Sequence, residues 1–143
     1  MKVKEIMTTN PTCCTADTTL KEVAKMMLDH DCGEIPVVDN KNRPIGVITD
    51  RDIVCRVLAK GENPLQKRTG DCMSKPCVTV TPETSMEDCC GLLQEKQIRR
   101  VPVVDDRGSC CGIVSQADIA THNLKEELVE TVEMVSQPCK CVI

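Results

Sequence analysis

The sequence predicts a mixed α/β (α+β) chain made of two tandem copies of one β-α-β-β-α unit, followed by an added helix. Three observations predict it. The first is self-similarity: "GVITDRDI" at 46–53 returns as "GIVSQADI" at 112–119, and "IPVVD" at 35–39 returns as "VPVVD" at 101–105. At the same offset Met7 meets Met73, Thr15 and Thr18 meet Thr81 and Thr84, and Leu20 meets Met86, with no gap along the run. The second is the alternation of short apolar runs with helical periodicity, the signature of strands interleaved with amphipathic helices. The third is the turn chemistry between the runs. A repeat this long is a supersecondary unit, and two copies can bury one shared core.

The elements follow in order. "PTCCTADTT" and "CVTVTPETS" open as extended segments and close in polar turns. A helix comes next. Leu20, Val23, Ala24, Met27 and Leu28 have the i, i+3, i+4, i+7 rhythm of one buried face. Thr19 and Glu22 have capping-box spacing, and Ser85 with Asp88 is the acidic counterpart in the second copy. "IPVV" and "VPVV" are short strands, "DNKNRP" and "DDRGS" are turns, and "IGVIT" and "CGIVS" are second strands, each followed by a helix. Gly61, Asn63 and Pro64 mark the break between copies. The stripe Leu124, Leu128, Val132, Val135 predicts a last amphipathic helix ending before Pro138. The expected division is 1–66 for the first motif with its linker, 67–122 for the second, and 123–143 for the helix and a cysteine-containing tail.

Composition bounds the function. The chain has 143 residues, 41% hydrophobic and 28% charged, the balance of a soluble globular protein. A net charge of -4 and the absence of Phe, Tyr and Trp argue against a nucleic-acid partner, which needs positive surface and favours stacking rings. No apolar run approaches the roughly 20 residues of a membrane span, and "MKVKEIMTTN" lacks the apolar core of a signal peptide. The expectation is a cytoplasmic protein without a membrane partner.

The repeated phrase supports two compatible readings. In the structural one, Thr49 and Ser115 end a strand and cap a helix, and Asp52 and Asp118 complete the cap three residues on. In the binding one, the same geometry offers free N–H donors and an aspartate able to accept two neighbouring hydroxyls, as on a ribose. The twelve cysteines divide similarly. No CxxC occurs, so metal-ligand spacing is poor. Cys14, Cys32, Cys72, Cys89, Cys90 and Cys111 each stand where the other copy has a small apolar residue, which predicts core packing. Cys139 and Cys141 in "CKC" read as a tail or as a redox or metal handle. His30 and His122, each near a helix end, read as surface residues.

The motifs "EIMTTNPTCCTADTTLKEV", "IPVVD" and "GVITDRD", with "DCMSKPCVTVTPETSMED", "VPVVD" and "GIVSQAD", resemble a tandem cystathionine-β-synthase (CBS) domain pair over about residues 3 to 121. That resemblance implies two motifs packed as a pseudo-twofold pair, with clefts that often hold adenosine compounds. It implies ribose contacts at Thr49 and Asp52 in one site and at Ser115 and Asp118 in the other. Adenine neighbours would be Cys13, Cys14, Ile35 and Pro36 in one copy, and Val78, Thr79, Val101 and Pro102 in the other. Phosphate candidates are Arg99, Arg100 and Arg51. Gly33 and Glu34 match Arg99 and Arg100, and Ala117 matches Arg51, so the two sites are expected to be unequal, with the Ser115/Asp118 site the tighter.

The expected function is a regulatory or sensor module. It would bind AMP, ADP, ATP, NAD(H) or S-adenosylmethionine, require no cofactor, form a homodimer, and modulate an unidentified protein target. The alternatives are a thiol-based redox- or metal-responsive protein and a ligand-free dimerisation scaffold. No Walker loop, Gly-x-Ser-x-Gly, His-Glu-x-x-His or dinucleotide fingerprint is present, so an enzyme is not expected.

Overall fold

A computed structural model describes residues 1–122 and 124–138. The "CKC" cysteines lie outside the described residues. Five α-helices are described: α1 (Leu20–His30), α2 (Asp50–Arg56), α3 (Met86–Lys96), α4 (Gln116–Thr121) and α5 (Lys125–Val135). The strands are β1 (Thr8–Thr9), β2 (Glu34–Val38), β3 (Pro44–Thr49), β4 (Arg100–Val104) and β5 (Cys110–Ser115). The duplicated strand-helix order is thus present. The opening strand of each repeat is reduced to one parallel bridge, Cys14 with Val37 and Val80 with Val103.

The chain forms two compact units. The first-repeat unit comprises 11–78 and 108–110. The second-repeat unit comprises 1–10, 79–107 and the chain from Cys111 on. The roughly ten residues that lead into each repeat therefore belong to the body of the other. In the first-repeat unit, Leu20 N donates to Lys67 O, Thr69 N to Thr18 O and Gly70 N to Ala16 O, at 2.9–3.1 Å. In the second-repeat unit, Met86 N donates to Met1 O, Val3 N to Thr84 O and Lys4 N to Pro82 O, over similar distances. These are the same three bonds displaced by one repeat. Lys2 and Lys4 add ion pairs to Glu83.

In the first-repeat unit β2 and β3 pair antiparallel, Glu34 opposite Thr49 and Ile35 opposite Ile48, and Ser74 extends the sheet by bonding both ways with Val47. The core gathers Leu20, Val23 and Met27 of α1 against Ile35, Val37, Ile48 and Val57. In the second-repeat unit β5 lies between β1 and β4. Its core includes Val3, Met86, Leu93, Val101, Val103, Val114 and Ile119.

Helix α1 begins at the expected capping box, Glu22 N on Thr19 Oγ1 and Thr19 N on Glu22 Oε2. Ser85 accepts from Asp88 N without the return bond. Two expected core positions on α1 are corrected. Leu28 is 80% exposed and Ala24 is exposed as well, while Met26 packs on the core. With 3.6 residues per turn, a face centred between Leu20, Val23 and Met27 turns Ala24 and Leu28 to its rim and then away. On α5 the expected helix forms, but Val132 is 42% exposed and Thr131 is the residue with no exposure. Thr131 is buried because its hydroxyl accepts from Gln94 Nε2 of α3 at 3.3 Å. No helix among the described residues is long and apolar enough to cross a membrane.

Cysteine follows the core expectation at Cys14, Cys72, Cys89 and Cys90, all buried. Burial pushes the Cys14 thiol up to about 11 and Cys89 up to about 12, leaving both inert at neutral pH. Cys32 and Cys111 are only half-buried. Cys111 matches Ile45, itself 37% exposed, so the apolar partner marks a strand position rather than a core one.

Gly46 and Gly112 mark where the exchanged leads press on β3 and β5. A Cβ on Gly46 would overlap the Ser74 carbonyl oxygen, which the sheet holds fixed. A Cβ on Gly112 would meet the flexible end of Met7, with Sδ at 2.7 Å, and Thr8 O at 3.1 Å. Gly46→Ala is therefore expected to cost about 1–3 kcal/mol and Gly112→Ala less. The midpoints of urea unfolding for the two variants measure this, and equal midpoints would contradict it.

Candidate functional site

Each repeated phrase folds into the same local device. A strand ends, the hydroxyl residue takes extended backbone, and the aspartate three residues on closes a capping box. At α2, Asp52 N donates to Thr49 Oγ1 and Thr49 N donates to Asp52 Oδ2, both at 3.0 Å. At α4, Asp118 N donates to Ser115 Oγ at 3.3 Å, and Ser115 N and Ser115 Oγ donate to Asp118 Oδ2 at 2.7 and 2.9 Å. The structural reading of the phrase is thus present twice.

The second carboxylate oxygen separates the two copies. Asp52 is buried, 7% exposed, and its Oδ1 accepts from Ser74 Oγ at 3.0 Å. Arg56 Nε lies 3.4 Å from the same oxygen, and Arg56 also donates to Met73 O. Asp52 therefore ties together β3, α2 and the lead of the second repeat. Asp118 is half-buried, and among the described residues nothing donates to its Oδ1. Thr8 stands at the position of Ser74, and His122 at that of Arg56. His122 turns its Nδ1 to the Asp118 carbonyl, 2.7 Å away, rather than to the carboxylate. One aspartate is thus spent within the fold, and the other keeps an acceptor available.

The charged surroundings diverge in the same direction. Gln116 N donates to Arg99 O at 3.1 Å, which fixes Arg99 beside the first turn of α4. Arg99 is exposed, and Arg100 opens β4 half-buried. In the first-repeat unit the equivalent bond runs from Asp50 N to Gly33 O at 3.0 Å. There the Asp50 carboxylate covers Gly33 so closely that a Cβ would lie 2.8 Å from Oδ2. An aspartate carboxylate thus lies over the residue that matches Arg99. Sequence reasoning passed over Asp50; its signal was the pairing of Gly33 with Arg99 and of Asp50 with Gln116. Arg51 is exposed on α2 and makes no ion pair among the described residues.

The apolar candidates are strand residues. Ile35 and Pro36 of β2 and Val101 and Pro102 of β4 are buried. Cys14 N donates to Pro36 O at 3.0 Å, and Val80 N donates to Pro102 O at 3.1 Å. Those bonds put Cys14 beside Pro36, and put the residue following Thr79 beside Pro102. Val78 and Thr79 are half-buried, Val78 in the first-repeat unit and Thr79 in the second. A groove of about 520 Å³ beside α3 and α5 contains none of these residues. It is lined by Glu87, Asp88, Glu95, Glu127 and Glu130, whose charge would repel a phosphate. Among the described residues no group of three or more His, Cys, Asp or Glu is arranged to hold a metal ion.

Comparison with known proteins agrees with the duplicated architecture. The family model described as CBS domain matches residues 3–59 and 70–125. The chain is 37% identical over 130 residues to the uncharacterized protein MK0525 of Methanopyrus kandleri, covering 91% of this chain and 63% of that one, just under two thirds of its length. It is 33% identical over 135 residues to hypoxic response protein 1 of Mycobacterium tuberculosis, covering 94% of each chain. Among solved structures, Hypoxic Response Protein I with two coordinated zinc ions superposes with a TM-score of 0.78 at 34% identity, over 85% of this chain and 98% of that one. The CBS domain pair of protein MJ0100, in complex with 5-methylthioadenosine and S-adenosyl-L-methionine, gives 0.77 at 27%, over 85% and 98%. CBSX2 in complex with AMP gives 0.74 at 25%, over 88% and 98%.

The unequal aspartates have a stability signature. Asp52→Ala removes a cap and strands Ser74 and Arg56, an expected loss of about 1–3 kcal/mol beyond the cap. Asp118→Ala loses only the cap, about 0.5–2 kcal/mol. Thermal unfolding should rank Asp52→Ala well below Asp118→Ala; the reverse order would contradict the assignment of Asp52 to the fold.

Proposed function

The chain belongs to the CBS domain family, and from that membership we propose that it is a non-enzymatic regulatory module that binds an adenosine compound through Ser115 and Asp118. One observation carries the proposal: Asp118 Oδ1 has no donor within the described protein, whereas Asp52 Oδ1 is taken by Ser74 and Arg56. A ribose offers two adjacent hydroxyls, and the free oxygen can accept one while Oδ2, already oriented by Ser115, accepts the other. Arg99, held at the start of α4, supplies charge for a phosphate, and Arg100 adds to it. Val101 and Pro102 bring the apolar edge of β4 for adenine, with Val78 and Thr79 as further candidates. Solved relatives carry AMP, 5-methylthioadenosine and S-adenosyl-L-methionine, which supports the ligand class.

The equivalent site at Thr49 and Asp52, with Arg51, Cys14, Ile35 and Pro36, is the weaker one in this reading. A ligand there has to displace Ser74 from Asp52 and accept the Asp50 carboxylate nearby. The module acts as a homodimer and modulates a protein partner, with binding shifting a conformational balance by its differential affinity for two states.

Titration calorimetry against AMP, ATP, S-adenosylmethionine and adenosine tests the reading. Asp118→Ala should weaken binding by about one to two decades, the worth of a charged hydrogen bond of roughly 1.5–3 kcal/mol. Arg99→Ala should weaken AMP and leave adenosine nearly unchanged. Equal losses in Asp52→Ala and Asp118→Ala, or no heat from any ligand with the folded protein, would overturn it. Light scattering at micromolar concentration checks the dimer.

A further inference from the structure

The two repeats differ in what covers their first helix. At the repeat offset α1 and α3 match residue for residue, and they bury the same face: Leu20, Val23 and Met27 in one, Met86, Cys89 and Leu93 in the other. The adjoining face is treated differently. On α3 it carries Cys90 and Gln94, and α5 packs over it; Cys90 is buried, and Gln94 Nε2 donates to Thr131 Oγ1. On α1 the matching residues are Ala24 and Leu28, both exposed. The 3-10 turn Pro64–Gln66 lies alongside α1 instead, and it leaves Leu28 80% exposed and its own Leu65 70% exposed.

Cations frame that apolar strip. At 3.6 residues per turn, Lys21 and Lys25 fall on the same side of α1 as Ala24 and Leu28, one turn apart. Both are exposed, and neither has an ion pair among the described residues. Like charges four residues apart repel, so an anionic surface laid on this face relieves them. Glu22 is turned back into the cap at Thr19, and Asp29 lies at the edge of the face.

An anionic surface exists on the same chain. The groove of about 520 Å³ beside α3 and α5 is lined by five carboxylates together with Cys90, Gly91 and Leu92, and by no Lys or Arg among the described residues. Of those carboxylates, only Glu95 has an ion pair among the described residues, with Lys96 at 3.3 Å. A Cβ on Gly91 would meet nothing within 4 Å, so the α3 side of the groove is open to an incoming side chain. Glu87 and Gly91 stand at the positions that match Lys21 and Lys25. The duplicated face is thus basic and uncovered in one repeat, acidic and grooved in the other.

We propose that α1 of one molecule docks in the α3–α5 groove of a second molecule, with Ala24 and Leu28 against Gly91 and Leu92 and with Lys21 and Lys25 paired to the groove carboxylates. Neither surface is complementary to itself, so the contact joins unlike faces. Each molecule carries one of each, and two molecules satisfy each other by exchange. The proposal specifies the surface of the homodimer in the proposed function and rests on that part of it alone; no ligand is needed. The family match ends at residue 125, where α5 begins, so the groove is not built by the repeat alone.

Light scattering on the reduced full-length protein at micromolar concentration reads the association, and wild type should be a dimer. Lys21→Glu with Lys25→Glu should raise the dissociation constant about tenfold or more, and so should Glu87→Lys with Glu127→Lys and Glu130→Lys. An equimolar mixture of the two variants should recover the dimer. There the intact α1 of the second enters the intact groove of the first, and the two reversed surfaces meet each other. Zero-length carbodiimide crosslinking of isotope-labelled with unlabelled wild type, read by mass spectrometry, should join Lys21 or Lys25 to groove carboxylates between molecules; it depends on no variant. A dimer unchanged in both variants, a mixture of folded variants that stays monomeric, or intermolecular links that leave out Lys21 and Lys25 would overturn this interface and leave the homodimer standing. A monomeric wild type would overturn both, and leave the groove to a basic partner other than this chain.

Discussion

The exchange of leading segments is the constraint on which the rest of the structure depends. Neither repeat completes its own sheet: Ser74 finishes the sheet of the first repeat, and Thr8 and Thr9 finish that of the second. The backbone groups of β3 and β5 facing those segments would otherwise be an unpaired edge, and unpaired backbone groups are costly when water is excluded. The two glycines in the repeated phrase are explained by this contact. Gly46 and Gly112 lie where a lead crosses, and a side chain there would push it off. Their role is close approach, not an unusual backbone.

That contact also decides the chemistry of the aspartates. The lead of the second repeat brings Ser74 to Asp52, and Arg56 closes over the same oxygen. The lead of the first repeat brings Thr8 to the matching place in sequence, beside Ile113 of β5, and among the described residues only Ser115 donates to the Asp118 carboxylate. The same capping box thus becomes a structural knot in one copy and an open acceptor in the other. The charges around each box agree with that division, Asp50 over Gly33 on one side and Arg99 on the other.

Much of this was legible in the sequence, for physical reasons that can be named. The repeat fixes element order because a gapless match constrains every strand and helix twice. The capping boxes at Thr19, Thr49 and Ser115 are local, set by a three-residue spacing, and they form. What the sequence concealed was set by distance or by phase. The bond from Ser74 to Asp52 spans 22 positions. Leu28 fits a helical rhythm that the packing then rotates out of the core, since periodicity gives a stripe but not its centre. Thr131 was read past because it is polar, yet Gln94 meets its hydroxyl and lets it be buried.

The exchanged leads carry an implication about ancestry. A single repeat standing alone would have a sheet lacking its last strand and a free ten-residue arm that fits another copy of itself. Two such molecules could trade arms and satisfy both sheets, forming a symmetric swapped pair. Fusing their genes would give the present topology without inventing a new contact. Once the copies were covalently joined, the two arms no longer had to be identical, and Ser74 and Thr8 were free to drift apart. Divergence at that position contributes to making two matching aspartates unequal, one tied to the neighbouring lead and the other not.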